Sequence, residues 1–357
     1  MTQKILQKET ERLIGLDLFR IIAVLFVFLF HSHIHIGCQY GFLNDFINMG
    51  AIFMTGFYLL SGYALFYANS KNDLSKLENI KTYYLKRFIG IMPLYYVVAV
   101  IFVFLLGSET ISQNILLAPI EALGLQSIFT NIFSFTHNGG TWFVSCLLIC
   151  YLIYPFIQEV TKQIKSKTKW CIILFCVFVL LWSPFIQIYF STDLIYANPF
   201  FRSLEFVIGA LLCSMKNEFK SYKHTRFLYS WIVIMIEFII LVVGVTIASK
   251  IGIQGDYMLY SWIALPMFML MIVSLSGIKN SVILNNQITR YLCSISYAFF
   301  FAQFFTWKAT NYILDKLQMD KNIIKIIVSF GVCLLLTILL HELIEKPLSK
   351  FLKKKLL

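Results

Sequence analysis

Three side chains near the start of the chain could do chemistry inside a membrane. Arg20 and His31 bracket the apolar run Ile21 to Phe30, and His35 follows one turn later. A guanidinium holds anionic groups through forked, charge-assisted hydrogen bonds. An imidazole titrating near neutral pH takes up a proton and returns it. On a helix rising ~1.5 Å per residue, Arg20 and His31 stand roughly 16 Å apart along the axis. A hydrocarbon core is ~30 Å thick, so a centred helix carries both groups inside it. Their spacing is almost three full turns, so the two share a face that His35 continues, while His33 points away. An ionisable group in hydrocarbon costs ~2.5 kcal/mol or more unless it faces protein or water. The pattern therefore predicts a polar cavity within a helix bundle. Plainer readings exist for each residue alone: Arg20 snorkels or pairs with Asp17, and His31 is a satisfied structural histidine.

The elements that must position these groups follow from composition. Of 357 residues, 59% are hydrophobic and only 13% charged. Soluble chains carry roughly a quarter charged residues, and one of this size lacks the interior to hide so much apolar surface. A disordered chain, a disulfide scaffold and an ordinary soluble enzyme are excluded. What remains is an all-α polytopic membrane protein, with 35 Phe and 19 Tyr to face lipid and interface. The eight cysteines sit mostly in apolar runs and form no CxxC pair, so no metal site is expected. The net charge of +12 would suggest nucleic acid in a soluble protein. Here the bases fall between apolar runs and read as topology signals, so no nucleic-acid partner is expected.

A crossing needs about 20 mostly apolar residues. Ten candidates lie near 14–36, 48–68, 88–106, 142–160, 170–190, 200–215, 229–248, 258–277, 291–312 and 323–343. With the N-terminus cytoplasmic, most of the 30 Lys and Arg fall in inward segments, among them Lys71, Lys76, Lys81, Lys86 and Arg87. Outward segments hold only Lys250, Lys316, Lys321 and Lys325. That asymmetry predicts a bundle of about ten spans with both termini cytoplasmic. Glu9 and Glu11 among the first bases, with no small-residue cleavage site, argue against a cleaved signal peptide. No repeat, linker or polar block interrupts 1–357, so a single membrane domain without a fused extracytoplasmic one is expected. The outward segment 107–141 has no Lys or Arg, holds Glu109, Glu121 and His137, and is largely apolar. It reads as a stretch lying on or dipping into the outer face, or as a lid.

Together these residues resemble the membrane-bound acyltransferase 3 family. Leu16-Asp17 precedes Arg20, and Arg20 with His31 matches that family's Arg-x10-His signature. Phe57 to Tyr63 is similar to its Ser-Gly-aromatic stretch. Lys86-Arg87 leading to Met92-Pro93-Leu94 resembles its basic motif, and Trp142-Phe143-Val144 with Tyr151 and Pro155 resembles its Trp span. Arg202, Phe206 and Gly209, then Ile295-Ser296-Tyr297, then Glu345-Lys346-Pro347 resemble the later landmarks. The likeness runs from about 12 to 350. There are departures. Gly90 stands where the family often has an Arg, Leu147 where some branches have a Glu, and Gln303 where a His is common.

The resemblance implies transfer of an acyl group, most often acetyl, from acetyl-CoA to a sugar hydroxyl. The acceptor is a cell-envelope glycan or its lipid-linked precursor, and the setting is the plasma membrane. Polysaccharide-assembly proteins would be further partners, besides the membrane lipids. On that reading His31 is the general base or a transient acyl carrier, and Arg20 holds the donor or the developing negative charge. Lys86 and Arg87 receive the coenzyme A phosphates, although every inward loop has such bases. Arg202 and Glu205, three apart, read first as a mutual pair and second as lining for the acceptor. Trp142 reads as a sugar-stacking ring or an interface anchor, and His35 as a further acceptor contact. Packing is the expected job of Ser61-Gly62, and Glu237 has no assigned role. A transporter or flippase fits ten spans and a polar cavity as an alternative, and an inactive scaffold is a third reading.

Overall fold

The computed structural model describes residues 12–107, 110–129, 139–190, 195–221, 227–251, 261–278 and 286–357. Regular structure among them is helical, without a strand. In chain order the helices are α1 (Ile14–Ile36), α2 (Asn44–Ile47), α3 (Phe53–Asn69), α4 (Leu77–Leu106), α5 (Ile111–Ala122), α6 (Trp142–Gln163) and α7 (Ser166–Phe190). There follow α8 (Pro199–Ser214), α9 (Lys216–Ser221), α10 (Trp231–Lys250), α11 (Ser261–Ser276), α12 (Gln287–Leu317) and α13 (Asn322–Leu339). A π-helical turn, Leu340–Glu345, then leads into α14 (Lys346–Leu356).

Seven of these stretches are long and apolar enough to cross a membrane: α1, α3, α4, α6, α7, α10, and α13 running on into α14. The chain is a polytopic membrane protein. The other three expected spans fall on α8, α11 and α12. The first two have 16 residues each, short of a full upright crossing, and α12 has 31. Large apolar side chains such as Phe104, Phe156, Tyr189 and Ile232 point outward, as a lipid-facing surface requires.

The helix that carries the third expected span is longer than that span. Apolar content alone starts it near 88, but α4 begins at Leu77. Its first turns carry Lys81, Lys86 and Arg87 among good helix formers, so a hydropathy window misses them. Those bases therefore sit on a helix, not in a loop. In the segment 107–141, α5 starts with a capping box between Thr110 and Gln113. It buries only Leu117 and exposes Ile111, Ile115 and Leu116, which suits a helix on an apolar boundary. Tyr95 and Tyr96 of α4 donate to the carbonyls of Glu121 and Ala122, closing its last turn at 2.7 Å each. His137 and Glu109 lie outside the described residues.

Two local devices set the helices that carry the site. At the crossing of α3 and α8, a Cβ on Gly62 would stand 1.9 Å from the Phe206 carbonyl oxygen. One on Gly209 would stand 2.0 Å from that of Leu59. Only glycines allow these backbones to meet, as expected for Gly62. The second device satisfies carbonyls freed by proline. Pro155 has no N–H for the carbonyl of Tyr151, and its ring crowds that turn of α6. Tyr83 and Tyr84 of α4 donate to the carbonyls of Tyr151 and Leu152 at 3.0 and 2.7 Å. The same happens at Pro184, where Ser183 and Trp262 donate to Leu180 and Leu181 at 2.7 Å each. No water is at hand in a bilayer to do this, so side chains must. At Pro155 the device pins the first turns of α4 to α6 and places Arg87.

Candidate functional site

The polar groups of α1 line two adjoining cavities, where a single cavity was expected, and Arg20 and Asp17 also line a third of about 350 Å³. His31 and His35 line one of about 430 Å³, with Trp142, Tyr196, Trp307 and Lys308. Arg20 lines another of about 440 Å³, with Lys86, Arg87, Tyr151, Ser296 and Lys353. Met54 and Phe300 line both, so they form the partition. Phe143 braces it, its ring centroid 4.1 Å from that of Phe300.

In the histidine cavity, His31 Nδ1 lies 2.8 Å from Gln303 Oε1 on α12. A carbonyl oxygen only accepts, so Nδ1 carries the proton and Nε2 keeps its lone pair. The amide nitrogen of Gln303 is buried without a partner. The His35 ring lies against Trp307, with centroids 5.6 Å apart at 21°. His33 turns away, its Nδ1 donating to the Cys38 carbonyl at 2.7 Å.

The wall of this cavity is held from behind by charge. Arg202 and Glu205 on α8 are each 1% exposed and pair at 2.8 Å. Thr55 donates to Glu205 at 2.8 Å, and Arg202 Nε donates to the Tyr196 carbonyl at 2.8 Å. The guanidinium also lies 4.8 Å from the Tyr196 ring centre and 5.6 Å from those of Tyr58 and Trp142. Neither Arg202 nor Glu205 lines this cavity or the arginine cavity. They hold Trp142 and Tyr196, which do.

The arginine cavity is built differently. Arg20 does not pair with Asp17: that carboxylate bonds Arg12 and accepts from the Cys293 thiol at 3.1 Å. The Arg20 guanidinium points at the Cys293 sulfur, 3.6 Å away. Arg87 lies between the Tyr83 and Tyr151 rings, 5.9 and 5.7 Å from their centres, and its buried Nε has no partner. No Asp or Glu lines this cavity among the described residues. Gly90 and Leu147 line it too, and a Cβ at Gly90 would meet nothing within 4 Å.

Some contributors escaped the sequence reading. Ser61 faces the arginine cavity instead of only packing. Trp307 and Lys308 sit one turn beyond Gln303, and an in-span lysine was the only signal for them. Lys353 had none, because its place depends on the course of the chain through the π turn. Glu237, left without a role, accepts from Ser274 at 2.9 Å. His341 Nδ1 bonds Glu345 at 2.7 Å across the π turn.

Fold and site together define a membrane protein with a charged recess and a base-bearing recess meeting at an apolar partition. A family model described as an acyltransferase domain matches residues 13–342, from the foot of α1 into the π turn. The chain belongs to the acyltransferase 3 family. No curated protein matches it, and no solved structure does.

Proposed function

We propose that the chain is an integral membrane O-acetyltransferase, moving acetyl from acetyl-CoA to a hydroxyl of a cell-envelope glycan or its lipid-linked precursor. The observation that carries this is the opening of one helix, through Arg20 and His31, into two cavities that meet at Met54 and Phe300. The arginine cavity receives the donor phosphates on Arg20, Lys86 and Arg87, since guanidinium and ammonium groups in a cavity with no carboxylate among its described lining residues suit a polyanion. The thioester arm reaches past Met54 and Phe300 toward His31. The acceptor occupies the histidine cavity, where Trp142, Tyr196 and Trp307 offer rings for a sugar face and His35 a polar contact.

His31 acts as the general base. The sugar oxygen attacks the thioester carbon while His31 Nε2 takes the hydroxyl proton. The C–O bond forms, the C–S bond breaks, and the proton passes to the leaving sulfur. Gln303 keeps Nε2 free by holding the proton on Nδ1. Arg20 stands roughly 16 Å from His31 along α1, which suits it to the donor and not to the oxyanion. Ten spans, cytoplasmic termini and a plasma-membrane setting complete the reading, with the arginine cavity toward the cytoplasm. Family membership favours transfer over a transporter or flippase.

The test supplies labelled acetyl-CoA to membranes containing the wild-type protein or His31→Ala at matched levels. Label is expected in the saccharide fraction with wild type alone. Equal labelling by both proteins overturns the proposal.

A further inference from the structure

The helix α14 lies beyond the family-matched residues, yet it reaches the arginine cavity. It packs along α4, and Leu356 and Leu357 share a cleft with Glu78, Lys81, Thr82 and Leu85 near the start of that helix. This contact brings one of its lysines, Lys353, onto the rim of the arginine cavity beside Lys86 and Arg87. Lys350, Lys354 and Lys355 line neither cavity. The other three cations of the cavity come from α1 and α4, so Lys353 alone closes it from the opposite end of the chain.

We infer that Lys353 is a phosphate ligand of the donor, and that α14 completes the coenzyme A site by folding onto α4. The inference rests on the reading of the arginine cavity as the donor site. Three observations support it independently of the family match. The cavity gathers four cations with no carboxylate among its described lining residues. Arg87 leaves a buried Nε–H without a partner, an unmet donor that a phosphate oxygen would satisfy. Tyr83 and Tyr151 hold that guanidinium in place, so it is preorganised and loses little freedom on binding. An ammonium on a flexible stem is the natural fourth member, because it adapts to whichever phosphate oxygens the fixed guanidinium leaves. The ligand class is a nucleotide-bearing polyanion. A single carboxylate or inorganic phosphate would engage only part of the set.

The position also separates Lys353 from a simple membrane anchor. A basic amphipathic helix binds anionic headgroups with all its lysines. Here one lysine faces the cavity while its neighbours do not.

The experiment is coenzyme A binding to the full chain in nanodiscs of zwitterionic lipid. Lys353→Ala is expected to weaken binding at least about fivefold, Lys353→Arg to restore it, and Lys354→Ala to leave it unchanged. Arg87→Ala is the control for the parent reading. If Arg87→Ala weakens binding and Lys353→Ala does not, the role of Lys353 is overturned and the donor site stands. If wild type binds no coenzyme A, or neither substitution matters, both fall. If the Lys353→Ala effect appears only with anionic lipid, or Lys354→Ala matches it, α14 is a membrane contact and the inference is overturned.

Discussion

The two cavities are close in size and share two wall residues, but their polar groups stand in opposite situations. Around the histidine cavity the ionisable groups are answered, His31 by Gln303, Arg202 by Glu205 and Glu205 by Thr55, and the unmet donor there is the neutral amide nitrogen of Gln303. Around the arginine cavity cations gather without a carboxylate among the lining, and Arg87 keeps an unmet donor. Satisfied partners fix geometry, which a proton transfer needs. Unsatisfied like charges cost energy until an anion arrives, which is what a binding site needs. On the proposed reading, the contrast suits one cavity to reacting and the other to holding the donor.

The sharpest way to break that contrast is a crossover. His31→Gln should lower kcat by about 10²–10⁴, the usual worth of a general base, while coenzyme A binding stays within about twofold. Arg87→Ala should do the reverse, raising the donor KM by about 10- to 100-fold, as for a lost charged hydrogen bond, with kcat much less affected. Steady-state kinetics and a binding titration on the same preparations check both. Loss of coenzyme A binding in His31→Gln would merge the two cavities into one functional unit.

A smaller effect probes how the histidine is held. Gln303→Leu removes the acceptor at Nδ1, so the imidazole can place its proton on either nitrogen. A neutral hydrogen bond is worth about 0.5–1.5 kcal/mol, so kcat should fall about 3- to 10-fold with donor KM unchanged. Gln303→Asn, too short to reach, should behave like Leu. An unchanged kcat in both would remove the positioning role.

The legible part of the molecule was what hydropathy and charge encode. α1 was marked from 14 to 36 as it stands, and Gly37 in the left-handed conformation ends it. The Arg202–Glu205 pair was legible too, since two opposite charges three apart on an apolar helix have few other partners. Boundaries rich in charge were not, as the start of α4 at Leu77 illustrates. The partition was illegible for another reason. Met54 and Phe300 are ordinary apolar residues in sequence, and only the packing of α3 and α12 beside α1 makes them a wall between cavities. Two of the departures from the family pattern, Gly90 and Leu147, line the arginine cavity, and the third, Gln303, bonds His31. A departure in sequence marked the right places without saying what the new residues do.

The smallest expected effect falls on that wall. Phe300 lines both cavities and is braced by Phe143, so any acyl group passing from donor site to His31 must go by its ring. Phe300→Leu removes ring volume from a braced contact and leaves an apolar surface, so the fold should tolerate it. Neither His31 nor the cations are touched, and acetyl transfer should stay close to wild type. The gain should appear only with a longer chain. One methylene in a tight apolar passage is worth about 1–3 kcal/mol, and partial relief should raise the butyryl-to-acetyl rate ratio at least about threefold. Competition between the two donors in one reaction reads that ratio directly. A ratio unmoved by the substitution, with both donors still bound, would mean that the acyl group reaches His31 by another path, and the partition would then divide two separate sites.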